Sequence, residues 1–281
     1  MCTPPTRLAA TFLLGFSLLL PAAAQVPYRI LVTNDDGVRA AGIHAMADAL
    51  RSLGDVTVVA PSDNQSAKGH SLTINDPIHQ ENVTLPTGLP AIGLSATPAT
   101  TVKVALTQIL AMRPDLVVSG INRGTNLGLA AYISGTVGAA REAAARGIPA
   151  IASSLAFPAA QGVDSYKGAA DATVRVARFV KERGLPPGIF LNVNVPAGTM
   201  QTYKGILVTT QGTATGGVES FDKRTHPTTE RSYYWNVFIE GGKDIDGTDT
   251  WAVENGYVAV TPLKVGEFDQ AAFDRLKDSL K

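Results

Sequence analysis

Short apolar runs alternate with segments of helical periodicity through the first two thirds of the chain. Ile30–Val32 and Leu116–Val118 are uninterrupted apolar runs, and Val56–Ala60 is apolar except for Thr57. This is the pattern of buried parallel strands. Ala41–Leu53 places apolar residues at helical spacing between the first two runs. The same reasoning predicts further helices at 97–112, 134–146 and 169–182, and further strands at 150–153 and 190–195. Strands that alternate with helices predict an α/β fold: a Rossmann-like, doubly wound, mainly parallel sheet.

The pattern changes after about Pro196, where glycine-rich connections separate shorter apolar segments. These segments predict a smaller antiparallel β extension and a C-terminal helix. The predicted strands are 206–209, 233–239 and 257–262, and the predicted helix is 269–280. We therefore divide the chain into three parts: a leader at 1–24, a Rossmann-like domain at 25–197, and the extension with its helix at 198–281.

The first 24 residues have the pattern of a secretory signal peptide. Arg7 supplies the positive region, residues 8–20 are apolar, and Ala22–Ala24 are small residues before Gln25. The apolar stretch is shorter than the roughly 20 residues that span a membrane. Cys2, the only cysteine, lies in this segment, so we expect no disulfide in the mature chain. We predict an exported protein, periplasmic or secreted, that does not associate with the membrane after signal cleavage.

Charge narrows the range of partners. The chain has 24 Lys and Arg residues against 24 Asp and Glu residues, with no basic tail or stripe. This balance argues against nucleic-acid polymers and anionic membrane surfaces as partners. The balanced charge is compatible with the binding of one small phosphorylated molecule.

The first strand ends in two consecutive carboxylates, Asp35 and Asp36, between Asn34 and Gly37. Ligands of open α/β sheets bind beyond the carboxyl ends of the strands, so these acids point to the expected crevice. Adjacent carboxylates resist joint ionisation unless a cation neutralises them, and hard oxygen ligands suit Mg²⁺ or Mn²⁺. The same four residues are also ordinary turn chemistry, and this segment alone does not separate the two interpretations.

Two other polar loops follow predicted strands, and a third polar segment opens a predicted helix. All three would meet the two acids at one edge of the sheet. Asn122 offers a neutral oxygen ligand, and Ser66 offers a hydroxyl. The glycines around Asn126 allow backbone amides to approach an anion closely. Ser134-Gly135-Thr136 opens a helix whose unpaired amides favour phosphate, although a plain N-cap explains the same residues.

Several blocks in the right order resemble the SurE family of metal-dependent nucleotidases. The likeness covers about residues 28–263, nearly all of the mature chain. It is carried by Ile30-Leu-Val-Thr-Asn-Asp-Asp-Gly37, Val58-Val-Ala-Pro61, Gln65-Ser66, Ser71-Leu-Thr73, Arg113-Pro-Asp-Leu-Val-Val-Ser-Gly-Ile-Asn122, Asn126-Leu-Gly128, Tyr132-Ile-Ser-Gly-Thr-Val137, Gly247-Thr-Asp249, Gly256-Tyr-Val258 and Val260-Thr-Pro-Leu263.

The resemblance implies a phosphomonoesterase that acts on nucleoside 5′- and 3′-monophosphates. It implies one divalent ion, Mg²⁺ or Mn²⁺, and a homodimer or homotetramer built through the extension. It also assigns roles to residues at matching positions. The metal ligands would be Asp35, Asp36, Ser66 and Asn122; the catalytic residues Asp35, Asp36 and Asn126; the phosphate-binding residues Asn126, Ser134, Gly135 and Thr136.

Two departures from the family pattern and three alternative functions remain open on sequence alone. Ala96 stands where the family usually has glycine, and Thr100 where it has aspartate; either change could alter substrate fit or a subunit contact. The alternatives are a broad acid phosphatase or exopolyphosphatase, an aspartyl-phosphate phosphatase, and a non-enzymatic receiver-like module that binds phosphate or nucleotide. The aspartyl-phosphate class usually has Asp-x-Asp, whereas the acids here are adjacent.

Overall fold

A computed structural model describes residues 27–156, 162–213, 217–239 and 244–279. Within these ranges, nine strands form one mixed sheet and two form a separate antiparallel sheet. The strands are β1 (Arg29–Thr33), β2 (Asp55–Pro61), β3 (Gln80–Thr84), β4 (Pro90–Leu94), β5 (Leu116–Arg123), β6 (Ala150–Leu155), β7 (Ile189–Val195), β8 (Ile206–Val208), β9 (Gly217–Thr225), β10 (Ser232–Ile239) and β11 (Val258–Lys264). The helices are α1 (Ala41–Leu50), α2 (Pro98–Val104), α3 (Gly135–Ala145), α4 (Lys167–Arg183), α5 (Asp249–Glu254) and α6 (Gln270–Ser279).

The large sheet has the order β3-β4-β2-β1-β5-β6-β7-β11-β8. Its central strands, from β4 to β7 in this order, are parallel. The chain moves outward from β1 through β2 to β4, then returns to the other side of β1 at β5. The strand order therefore reverses between β1 and β5, and such a switch point is where open α/β sheets bind ligands. The predicted α/β fold is confirmed.

Helices cover both faces of the sheet because the central strands are apolar on both sides. In β1, Ile30 packs into the core on the face that carries Ile43 of α1, whereas Leu31 packs on the opposite face with Val137 of α3. All four side chains are almost completely buried. The two layers fix α3 and the loops of the carboxyl edge around the switch point.

The predicted helix at 97–112 is shorter than its sequence pattern indicated. It starts with Pro98 in the first turn of α2, widens to a π-helical turn at Ala105–Ile109, and ends at Leu110, whose backbone is extended. Pro114 lies four residues farther on, where helical conformation is disfavoured for the preceding residue.

The C-terminal part corrects the predicted organisation of the extension. β11 pairs antiparallel with β7, and β8 pairs with β11, so two of the three predicted extension strands complete the main sheet. Only β10, paired with the unpredicted β9, forms a separate antiparallel hairpin. A boundary after residue 197 therefore runs through the sheet. Local patterning missed this because the pairing of β7 with β11 joins segments more than 60 residues apart.

The predicted signal peptide, 1–24, lies outside the described residues. Within the described ranges, no helix combines the length and apolar character needed to cross a membrane.

Candidate functional site

The paired acids lie directly beyond β1, at the switch point. Asp35 is 3% exposed, and burial together with the neighbouring charge of Asp36 raises the pKa of Asp35 to about 6, against the opposing effect of hydrogen bonds from Thr136. Burial also raises the pKa of Asp36, although the backbone N–H and charge of Arg123 oppose that shift. Two adjacent carboxylates that resist ionisation are a site where a cation is stabilising.

The amino terminus of α3 contacts Asp35. Thr136 Oγ1 donates a hydrogen bond to Asp35 Oδ1 at 2.5 Å, and the Thr136 side chain is fully buried. A Cβ on Gly135 would lie 2.8 Å from Asp35 Cβ and 2.9 Å from Asp35 Oδ2, so the close approach requires glycine. Ser134 is the N-cap, and its Oγ accepts from the backbone N–H of Val137 at 3.2 Å. The amino terminus of α3 therefore packs directly against Asp35.

Asp36 connects β1 to the loops after β2 and β5. The backbone N–H of Arg123 donates to Asp36 Oδ2 at 3.0 Å, and Asn64 Nδ2 donates to Asp36 Oδ1 at 3.4 Å. Asn64 Oδ1 in turn accepts from the backbone N–H of Ser66 at 3.0 Å. Ser66 is exposed. These contacts bring the predicted hydroxyl ligand into the same loop cluster as the carboxylates.

The turn interpretation of the Asn-Asp-Asp-Gly segment is confirmed for Asn34 and Gly37, and the metal-binding interpretation of Asp35 and Asp36 stays a prediction. Asn34 makes the turn: its Nδ2 donates to the Gly37 carbonyl at 2.9 Å, and its Oδ1 accepts from the Gly37 N–H at 3.2 Å. Gly37 has φ of +102°, a conformation that favours glycine. The turn therefore does not use the carboxylates of Asp35 and Asp36, which bind Thr136, Arg123 and Asn64 instead.

The two predicted asparagines, Asn122 near the end of β5 and Asn126 after it, are held differently. Asn122 Nδ2 donates to the Gly124 carbonyl at 2.8 Å. Because the nitrogen of the amide is used in this bond, the amide oxygen is the atom that could bind a cation. Asn126 is buried, and its Nδ2 donates to Ser154 Oγ at 2.8 Å. The role of Asn126 at a phosphate stays a prediction.

The structure adds residues that sequence reasoning did not identify as part of the site. Asn194 Oδ1 accepts from the Asn126 N–H at 2.8 Å, and Asn192 Nδ2 donates to the Asn126 carbonyl at 2.8 Å. Both side chains are fully buried on β7. Two polar residues in an otherwise apolar strand, Asn192 and Asn194, were the available signal, because a buried amide must find partners.

The donor set fits a hard divalent cation. Two carboxylates and a hydroxyl come from the loops after β1 and β2, and an amide oxygen comes from the carboxyl end of β5. Oxygen ligands of this kind suit Mg²⁺ or Mn²⁺. Within the described residues, no group of three or more His, Cys, Asp or Glu side chains is placed to hold a metal. The acid pair with neutral oxygen donors is therefore the candidate metal centre, and the individual ligands stay predictions.

The loop that carries Ser66 is anchored by threonines. Thr100 Oγ1 accepts from the backbone N–H of Thr73 at 2.8 Å and from Thr97 Oγ1 at 3.0 Å, and its side chain is buried. Thr100, which departs from the family pattern, thus anchors the end of this loop to the start of α2. Nothing in the structure explains the Ala96 departure.

A second anchor of the same loop is ionic. Glu142 of α3 is buried and accepts from His70 Nε2 at 2.9 Å and from Arg146 Nε at 2.8 Å, with Lys103 Nζ 3.4 Å away. Burial raises the pKa of Glu142, but the hydrogen bonds from His70 and Arg146 and the nearby positive charges outweigh it and leave that pKa lowered. The ionised carboxylate therefore stabilises the folded state.

Glu142→Gln is expected to weaken the acid sensitivity of folding. Because the folded-state pKa of Glu142 lies below its ordinary value of 4.5, its stabilisation is present above about pH 4.5 and is lost as the pH falls through the folded-state value. At pH 7 the substitution should cost about 1–3 kcal/mol. Urea unfolding in the presence of chelator measures the free energy of unfolding at pH 7 and at pH 3. This free energy should fall less between the two pH values for the variant than for the wild type. Equal decreases would contradict this role for Glu142.

Fold and site together define a Rossmann-like α/β protein with a candidate metal centre beside the amino terminus of a helix. The chain belongs to the SurE family: residues 30–217 match the family described as Survival protein SurE. The family resemblance of the sequence blocks is thereby confirmed.

Relatives extend the match over most of the chain. A protein named 5′-nucleotidase SurE from Geotalea daltonii is 46% identical over 84% of this chain and 92% of its own. A 5′-nucleotidase SurE 1 from Thermus thermophilus is also 46% identical, with the same coverage of both chains. The crystal structure of the SurE protein from Aquifex aeolicus is 37% identical and superimposes with a TM-score of 0.76 over 90% of this chain and all of the other.

Proposed function

We propose that this protein is a metal-dependent 5′-nucleotidase that hydrolyses nucleoside monophosphates to nucleoside and phosphate. The observation that carries the proposal is the contact between the amino terminus of α3 and buried Asp35, whose neighbour Asp36 completes the acid pair. A cation and a phosphate can bind side by side there. Relatives that are named 5′-nucleotidase SurE and are 42–47% identical to this chain support the same activity.

Different residues of the chain would bind the metal ion and the phosphate at this site. Asp35, Asp36, Ser66 and Asn122 would hold one divalent ion, which we propose is Mg²⁺ or Mn²⁺. When bound, the ion supplies positive charge to the phosphoryl oxygens. The first-turn amides of α3 add the favourable end of the helix dipole.

Proton transfer also falls to the acid pair. Thr136 holds Asp35 in place through its hydroxyl, and the burial that raises the pKa of Asp35 makes this carboxylate a better proton acceptor. We propose that Asp35 or Asp36 takes the proton of the attacking water. The bond from phosphorus to the ester oxygen breaks as the bond from phosphorus to water forms. The protonated carboxyl group, directly or through solvent, then gives its proton to the leaving ester oxygen, so the nucleoside leaves as an alcohol.

A panel of phosphate esters tests the activity and its range. We expect purified protein to release phosphate from nucleoside 5′-monophosphates with added Mg²⁺ or Mn²⁺, and to lose this activity in EDTA. The 3′-monophosphates are proposed as further substrates, with polyphosphate and p-nitrophenyl phosphate included to detect a broader phosphatase. Undiminished hydrolysis in EDTA would contradict the proposed metal dependence.

We further propose that the mature protein is a homodimer or homotetramer. The β9–β10 hairpin exposes Phe221, Tyr234 and Trp235 to 60% or more. A two-stranded hairpin is at best marginally stable in water, so a second copy of the chain is a fitting cover for this surface. Light scattering tests the assembly, and a monomeric mass at micromolar concentration would contradict it.

Export to the periplasm or medium is the remaining proposal, and it rests on the sequence pattern of residues 1–24. Amino-terminal sequencing of protein recovered from the periplasm or culture medium should begin near Gln25. Retention of the leader on protein in the cytoplasm would contradict it.

A further inference from the structure

The segment between Asn122 and α3 is held from the C-terminal part of the chain at Gly128. The Gly128 N–H donates to Asp249 Oδ2 at 3.0 Å, and the Gly128 carbonyl accepts from Gln211 Nε2 at 2.8 Å. The backbone N–H and the carbonyl of Gly128 are therefore both bound by residues that lie more than 80 positions later in the chain. We call Asp249 and Gln211 the Gly128 clamp.

Asp249 is a fully buried carboxylate at the first position of α5. Besides Gly128, it binds the backbone N–H groups of Gly212 at 2.8 Å and of Thr250 at 2.9 Å, both through Oδ1. Burying an ionised group is costly unless hydrogen bonds compensate, and these three N–H groups provide that compensation. Asp249 thus connects three segments: the loop after β5, the loop after β8, and α5.

Gly128 is close in sequence to the proposed phosphate site. It begins the 3₁₀ turn Gly128–Tyr132, and Ser134, the N-cap of α3, follows two residues after that turn. On the other side, Asn126 is fixed to β7 by Asn192 and Asn194. The segment is therefore held at position 126 by the sheet and at position 128 by the clamp.

We infer that Asp249 is a positioning residue for phosphate binding: it sets the place of Gly128, and through the 3₁₀ turn that of the α3 amino terminus over the acid pair. This inference rests on the proposed function of the site. Asp249 is not among the proposed metal ligands, which lie in the loops after β1 and β2 and at the carboxyl end of β5. Substitution of Asp249 should therefore weaken the binding of phosphate and leave the affinity for the metal ion unchanged.

Asp249→Asn is the most selective test. If the asparagine oxygen keeps the bonds to Gly212 and Thr250, its NH₂ group faces the Gly128 N–H, so a donor meets a donor. We expect kcat for a nucleoside 5′-monophosphate to fall about 30-fold or more, since a displacement of about 1 Å at a reacting centre can cost about 10²-fold. Inhibition by inorganic phosphate should weaken about tenfold, whereas Mn²⁺ affinity by calorimetry should stay within about twofold.

Asp115→Asn is the matched control. Asp115 also accepts a backbone N–H, from Arg29 at 2.8 Å, and its Oδ1 pairs with the Arg29 guanidinium at 3.1 Å, at the opposite edge of the sheet. This variant should lose thermal stability but keep kcat and phosphate inhibition. Gln211→Leu removes the other half of the clamp and should reduce kcat in the same direction, by less. If Asp249→Asn does not fold, the kcat and phosphate inhibition of Gln211→Leu test the inference instead.

Three outcomes would overturn the inference. The first is that the kcat values of Asp249→Asn and Gln211→Leu both lie within twofold of the value for the Asp115→Asn control. The second is a loss of Mn²⁺ affinity equal to the loss of phosphate inhibition, which indicates general disruption. The third is an unchanged affinity of Asp249→Asn for inorganic phosphate. A wild-type protein that binds phosphate but hydrolyses no nucleotide would contradict the proposed function alone, and phosphate binding by the clamp variants would then decide the inference.

Discussion

Asp36→Asn is expected to reduce metal-dependent hydrolysis by at least about 10³-fold, which corresponds to about 4 kcal/mol of lost transition-state stabilisation. The substitution replaces a charged oxygen of the donor set by an amide. It can keep the hydrogen bond from the Arg123 backbone, because the asparagine oxygen still accepts. The fold should therefore survive, and assays of phosphate release at saturating Mn²⁺ measure the effect.

The same variant should be more stable than the wild type when no metal is present. Burial raises the pKa of Asp36, so at pH 7 the ionised carboxylate costs stability in the folded state, and asparagine removes that cost. Mn²⁺ should then raise the melting temperature of the wild type and leave that of the variant unchanged.

Asp48→Asn serves as the control for Asp36→Asn. Asp48 is an exposed acid on α1 that pairs with Arg51 at 3.4 Å, away from the loops of the site. It should keep full activity and the full response to Mn²⁺. Full activity of Asp36→Asn would show that the acid pair is not the metal centre.

Gly135→Ala is expected to lower kcat by about 10²-fold. The new methyl group would lie 2.8 Å from Asp35 Cβ, so either α3 or Asp35 must move. Either movement separates the helix terminus from the acid pair and disturbs the 2.5 Å bond between Thr136 and Asp35. Gly135 is inside a helix, where alanine is favoured, so the backbone itself gives no reason for a loss.

Gly266→Ala isolates the effect of the added methyl group from that of the glycine-to-alanine change. No described atom lies within 4 Å of a Cβ at Gly266. Steady-state kinetics of the two variants should therefore differ, with wild-type kcat for Gly266→Ala. If Gly135→Ala stays within about threefold of the wild type, the close packing of α3 on Asp35 does not matter for turnover.

The opening strand shows what local sequence can predict about this site. Three apolar residues followed by Asn34, Asp35, Asp36 and Gly37 indicated both the strand and the position of the acids at its end. The pattern did not show that Asn34 alone would satisfy the turn. Short-range periodicity and turn chemistry describe a strand end, whereas the partners of each side chain depend on the packing of other loops.

Pairings between distant segments were not visible in the sequence pattern. β3 has an alternation of exposed and half-buried residues with few apolar side chains, because it is an edge strand that pairs only with β4. β11 reads as part of an extension when taken alone, yet its partner is β7. Likewise, Asp249 had no local signal as a positioning residue, since its partner Gly128 lies 121 positions earlier.

A crystal structure with Mn²⁺, using anomalous scattering, tests most directly the claim that the acid pair is a metal centre. We expect one anomalous peak beyond the end of β1, bound by carboxylate oxygens of Asp35 and Asp36 together with Ser66 and Asn122. Added phosphate should then appear between this ion and the amino terminus of α3. The absence of a peak there at saturating Mn²⁺, or a peak bound by other residues, would contradict the account.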